Sequence, residues 1–383
     1  MASAAHPPHD FDEQTAAFIH REIYQLGVLV IVAIAAFVLT QAVAASNRDM
    51  SLRDAAEWYR RGESAIATGD LDVAVDAFRR ASGRNRNNKP YQLALARALV
   101  RKHDNDGAQS VLLALRDSTP EDPDVNLELA RVAAESHDVT GALRFYHNAL
   151  YAPWPSEQAD ARRQVRFELV TFLLTHKQSP RAISELLAAS TDLPDDVGVR
   201  LQTARLFAQA GDAGHALDQF QQALRLAPEN PEALGGAGLS AFALGNYGLA
   251  RTYLHQVAEA SEDLATTREV ADAVLSNDPL ANRLGSTERR RRLTANFVFA
   301  QNRLASCLEE PGSLPTSDAL TLLSEAQTFE PRLMPSVLEQ DVVEMGADLV
   351  DRIERLVLQR CGTPTTLDRA LVLIGRQHGG ETR

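Results

Sequence analysis

Residues 197–230 read VGVRLQTARLFAQAGDAGHALDQFQQALRLAPEN. Two apolar-periodic runs flank the turn signal Ala210-Gly211-Asp212, and Pro228 closes the stretch as a residue that cannot continue a helix. The reading is two helices joined by a tight turn. Working outward from Ala216, alanine recurs at 74, 108, 142, 182 and 250, at spacings of 34, 34, 40, 34 and 34 residues. Four residues after each alanine comes Phe78, Leu112, Tyr146, Leu186, Phe220 or Leu254, and seven after it Ala81, Leu115, Ala149, Ala189, Ala223 or Val257. Twelve residues before it stands Gly62, Ala96, Ala130, Val170, Ala204 or Gly238. Small side chains at these positions let two antiparallel helices approach closely, while the large residue fills the gap between them. The longer interval comes from six residues inserted near Tyr151 to Arg162. With Tyr151, Trp154 and two prolines, this insertion reads as a bracing loop, a binding role being the alternative.

Composition agrees with a helical repeat array. The 383 residues are 45% apolar and only 6% aromatic, rich in the small and aliphatic residues that favour helix. Thirty-nine basic against 51 acidic residues give a net charge of −12, which argues against a dedicated nucleic-acid binder. Two cysteines, Cys307 and Cys361, cannot supply a disulfide framework or a four-thiolate zinc site.

From Ile23 to Asn47 no residue is charged, and twenty helical residues at ~1.5 Å each span the ~30 Å of a bilayer core. Residues 23–47 are therefore expected to form a single transmembrane helix. A cleaved signal peptide with a periplasmic product is the rival, since Ala42-Val43-Ala44 has the form of a cleavage site. Residues 1–22 are read as a disordered or amphipathic tail. Arg48 and Arg53 follow the span and only Arg21 precedes it closely, so the positive-inside rule leans toward a cytoplasmic domain without deciding the side.

The pattern of Trp58, Gly62, Ala74, Phe78 and Ala81, matched by Ala204, Gly211-Asp212, Ala216, Phe220, Ala223 and Pro228, resembles the tetratricopeptide repeat. Six units fall at 55–88, 89–122, 123–156, 163–196, 197–230 and 231–264, with a degenerate helical region over 265–383. The resemblance implies an all-α, right-handed α-solenoid, here preceded by the membrane helix. Ser286-Thr287-Glu288 opens a long helix to about Glu309, and Ala319, Leu323, Ala326 and Pro331 repeat the second-helix spacing of a seventh unit. Helices near 336–359 and 366–376 are expected to close the stack. His147-Asn148-Ala149-Leu150-Tyr151, Trp154-Pro155 and the stretch from Asp278-Pro279-Leu280 to Arg292 resemble a bacterial family of membrane-anchored repeat proteins without assigned activity. That resemblance implies a single-pass protein of the bacterial inner membrane.

In the repeat family the first helix of each unit lines a concave surface. The candidate groove residues are Tyr59, Leu93, Leu127, Phe167 and Leu201 at the fifth position and Arg97, Arg131 and Arg205 at the ninth. The carboxylate clamp of some family members needs Lys and Asn where this chain has Tyr59 and Glu63, and basic residues where it has Asp124 and Glu128. A clamp for chaperone tails is therefore not expected. The expected partner is a protein or peptide, acidic if the arginine row is open; a permanent structural subunit is the alternative. No nucleic acid, cofactor or small-molecule substrate is expected, and neither a zinc-binding His pair, a phosphate loop nor a nucleophile elbow occurs in the sequence. An enzyme with a site in the divergent carboxy-terminal region is the remote alternative. Asp104-Asn105-Asp106-Gly107 lacks the preceding oxygen ligand of a calcium loop and reads as a turn. His103, His137, His176 and His215 are read as inter-helix turn residues, and Arg289 to Arg292 as a solvated run paired with acids or, less simply, a phosphate contact.

Overall fold

The computed structural model describes residues 11–86, 88–309, 317–360 and 363–378. Among them every regular element is helical. The chain divides into two units, Met1–Val165 and Arg166–Arg383.

In the first unit, α1 (Phe11–Thr68) pairs with α2 (Leu71–Arg84), α3 (Lys89–Arg101) with α4 (Asn105–Ser118), and α5 (Pro123–Glu135) with α6 (Val139–Leu150). The tail read at 1–22 gives way to helix at Phe11, and residues 1–10 lie outside the described part. No proline stands between residue 11 and Gly69, and the two glycines there, Gly27 and Gly62, stay within the helix, so the apolar stretch and the first helix of the first repeat are one rod. Its apolar side chains are exposed on every face, Leu29, Ile31 and Phe37 among them at 64–69%. One stretch of α1 is long and apolar enough to cross a membrane, a property that a signal sequence shares. After α6, Trp154 donates its indole N–H to the Ala149 carbonyl at 2.8 Å, and Arg162 Nε donates to that of Leu150 at 3.0 Å. The insertion braces the end of α6, as a loop of this composition should.

The unit boundary falls within α7 (Ala159–Thr175). The second unit continues with α8 (Ser179–Ser190), α9 (Val197–Ala210), α10 (Ala213–Leu226), α11 (Pro231–Ala243), α12 (Tyr247–Leu254) and α13 (Glu262–Asn277). All six recurrent alanines, from Ala74 to Ala250, have no exposed surface, and the large and small positions around them are buried too. A Cβ on Gly62 would lie 2.5 Å from the Phe78 ring, and one on Gly238 would lie 2.6 Å from Leu254. The small residue of the first helix thus faces the large residue of the second within one hairpin.

The six turns inside these hairpins are built alike. Gly69, His103, His137, Lys177, Gly211 and Gly245 all take positive φ, between 57° and 87°. The next residue in each case donates its N–H at 2.9 Å to a carbonyl five residues back, closing a Schellman turn. That residue also caps the second helix. Asp70, Asp104, Asp138, Asp212 and Asn246 each accept a backbone N–H three residues on, whereas Gln178 makes no such bond. The Asp104 segment is this capped turn. His103 and His137 occupy the left-handed position; His215, read as a turn residue, belongs instead to the first turn of α10, where its N–H meets Asp212. Gln178→Asp is expected to raise stability by about 1 kcal/mol, read as a higher denaturant midpoint at unchanged m, because it supplies the missing cap.

Beyond α13 the order of packing changes. α14 (Ser286–Glu309) lies chiefly against α16 (Gln340–Arg360), and α17 (Thr366–His378) returns to α13 as well as to α16. α15 (Ser317–Phe329) buries Ala319 and Ala326, as the spacing predicts, but with Leu322 in place of Leu323 as its deepest leucine. Arg289 to Arg292 do not form an open run. Arg289 donates to the Pro279 carbonyl, Arg290 to that of Leu333, and Arg292 to those of Leu275 and Asp278. Arg291 and Arg292 both bond Glu288, which holds its carboxyl down to about 2. The run clamps the start of α14 to the preceding loop. Cys307 is disulfide-bonded, and Cys361 lies outside the described residues.

Candidate partner-binding groove

Inner-face side chains come from the first helices of the repeats, and each unit presents its own set. In the first unit Tyr59 of α1 packs against Tyr91 of α3 in a tilted pair, with ring centroids 4.8 Å apart, and lies 5.5 Å from Phe78. Partial burial and the neighbouring Glu63 push the Tyr59 hydroxyl above its usual range. Tyr91 was not among the residues expected; its ring meets Tyr59 only because neighbouring first helices pack side by side.

The arginine row is occupied. Glu128 of α5 is buried, and its Oε1 accepts from Arg97 Nε at 2.7 Å and from Arg131 Nη1 at 2.9 Å. Lys89 bonds Asp122 at 2.8 Å and Asp124 at 2.9 Å. The acidic residues at the clamp positions of the third repeat are therefore partners of basic residues one repeat earlier. In the second unit Arg205 pairs with Glu232 at 2.5 Å. Each arginine keeps part of its side chain exposed, 55% for Arg97, 38% for Arg131 and 52% for Arg205.

The apolar half of the expected set needs correction. Leu93, Phe167 and Leu201 are 2–7% exposed and belong to the core, while Tyr59 and Leu127 are half-buried. The fifth position faces the neighbouring first helix more than it faces the groove, so its side chain is covered once the repeats stack.

The groove of the second unit has a different floor. A hollow of about 660 Å³ opens between α9, α11 and α13. Arg205 and Ala208 line it from α9, Glu232, Leu239 and Ala243 from α11, and Leu264 from α13. Leu239 is 43% exposed inside it. Glycine makes the hollow: Gly235 and Gly236 leave its wall without side chains, and a Cβ on Gly236 would lie 2.2 Å from the Phe220 ring. The signal for Leu239 was present in the sequence as an apolar residue at the ninth position, where three other repeats carry arginine. A larger hollow of about 920 Å³ lies between α15 and α16, off the inner face of the repeats, with Leu320 and Met345 exposed on its floor.

Family comparisons agree with this architecture. Tetratricopeptide repeat models match residues 65–132 and 201–265. The chain is a tetratricopeptide repeat protein, and its fold is that of a protein–protein interaction scaffold. Among solved structures it is similar to YrrB, described as a tetratricopeptide repeat protein with an unusual peptide-binding site, at 20% identity over 50% of this chain and 97% of that one, TM-score 0.39. It is also similar to PilF of Pseudomonas aeruginosa at 16% identity over 55% of this chain and 91% of that one, TM-score 0.40. A tetratricopeptide repeat protein from Parabacteroides merdae matches at 14% identity over 72% of this chain and 99% of that one, TM-score 0.38. A search of curated proteins gives no match.

Proposed function

We propose that this protein is a non-enzymatic adaptor of a bacterial inner membrane, anchored by α1, that holds a segment of a partner polypeptide in its inner groove. The observation that carries the reading is the glycine-walled hollow around Leu239: an apolar floor, a charged rim, and an opening sized for a few side chains. Apolar contacts at its floor supply affinity, and the Arg205–Glu232 pair at its rim offers both signs of charge to a passing backbone or side chain. In the first unit a partner carboxylate would compete with Glu128 for Arg97 and Arg131, so acidic segments are the preferred ligands there. The disulfide at Cys307 supports placing the repeats on the oxidising side of the membrane.

Crosslinking in intact membranes, followed by recovery of the tagged full-length chain, tests the reading. Leu239→Glu leaves the core untouched and removes a contact worth ~1.5–3 kcal/mol, so partner recovery should fall at least about tenfold. Arg97→Glu/Arg131→Glu should lose acidic partners selectively, and wild-type binding to them should weaken as salt rises. Full recovery by both variants at matched expression would remove the groove from the account.

A further inference from the structure

Resting on the anchored reading, we propose that the first repeat is seated on the bilayer, where a collar of arginines binds the phosphates of anionic lipid headgroups. Two observations meet at one level of the molecule. The first is continuity: the uncharged stretch ending at Asn47 runs without a break into the helix of the first repeat, so no linker separates membrane from solenoid. The second is the return of the hairpin. α2 comes back along α1, and its last residue, Arg84, accepts the Ser51 hydroxyl on its carbonyl at 3.3 Å. Arg84 Nε also reaches Asp54 at 3.2 Å.

Heights along α1 follow from the helical rise. Ser51 lies ~6 Å beyond Asn47 and Arg53 ~9 Å, while the headgroup layer on each side of the hydrocarbon is ~5–7 Å deep. Arg48 and Arg53 on α1, and Arg84 and Arg86 at the end of α2, therefore lie at or just above that layer. The opposing charges at this level are Asp49 and Asp54, and Asp54 is taken by Arg84. Arg48, Arg53 and Arg86 are exposed and make no ion pair with the described residues. The headgroup plane cuts across the helix axis, so side chains on any face of α1 at this height reach it, and long arginine stems extend that reach. The collar holds the first hairpin against the surface and so fixes which way the groove of the first unit opens.

The test uses the full-length chain in nanodiscs of phosphatidylcholine, with and without one third phosphatidylglycerol. Amide exchange over residues 79–86 should slow roughly five-fold in the anionic discs, the effect of about one arginine engaged at the surface. The difference should vanish in about 1 M salt, where screening length falls to ~3 Å, and in an Arg48→Gln/Arg53→Gln/Arg84→Gln/Arg86→Gln variant. Equal exchange in the two lipids, with wild type retained through a carbonate wash, would overturn the collar alone. Extraction of wild type by carbonate would overturn the anchor and the collar with it. Protection of wild type in neutral discs by inorganic phosphate, with no added effect of anionic lipid, would make the site a phosphate site and overturn the membrane assignment.

Discussion

Ala216→Phe is expected to cost the protein about 3 kcal/mol or more, the upper end of what overpacking does. Ala216 has no exposed surface, and it stands four residues before Phe220, which already fills the space beside Gly236. A second ring has no void to enter. Asp218→Phe, on the exposed face of the same helix, should change the denaturant midpoint little. Because each hairpin is held mainly by its neighbours, hydrogen exchange in the variant should rise first in α9 to α12, then further out. A midpoint equal to that of the Asp218 control would mean that the repeat register is wrong.

Glu354→Gln should act in the opposite direction and depend on pH. Glu354 of α16 and Asp368 of α17 are both fully buried, near Arg303 of α14. Asp368 is satisfied: Arg303 donates to it at 3.1 and 3.2 Å, and the Thr365 N–H at 2.6 Å. Glu354, by contrast, finds no well-formed hydrogen bond for either oxygen. Burial, then the charge of Asp368, push the Glu354 carboxyl up to about 8, with Arg303 opposing. Between its ordinary value of 4.5 and about 8 the folded chain holds a proton that the unfolded chain has released. Stability therefore falls as pH rises through that window and levels off above it. Glutamine keeps the shape without the proton, so the variant should gain on the order of 3 kcal/mol at neutral pH and lose most of the slope. Denaturation at about pH 4, 7 and 9, values on both sides of the window and within it, reads the effect, and parallel profiles for the two proteins would sink it.

Much of the array was legible in the chain. Alanine every 34 residues, or 40 across the insertion, with partners four and seven residues on, placed the six repeat hairpins, because close helix contact tolerates only small side chains at those points. Capping residues and turn glycines placed the ends of the repeat helices for the same local reason, and the long helix from Ser286 to Glu309 begins where the sequence pattern has it begin. The groove was legible only as a face. Helical spacing says which residues share a side, but burial of Leu93, Phe167 and Leu201 depends on how tightly the next first helix packs.

What sequence alone determined is thus what a single hairpin determines: period, register, caps and the apolar length of α1, all set by contacts within about one repeat. The tertiary structure decided the pairings across repeats and across the carboxy-terminal helices. Glu128 meets Arg97 from 31 residues away, and Asp368 meets Arg303 from 65. α17 returns to α13, and Gly235 and Gly236 open a hollow under Leu239. Such pairings carry no periodic signal, since a carboxylate at an exposed helical position suits water as well as an arginine. Only the stacking of one helix on another brings the second charge within reach and removes the water between them.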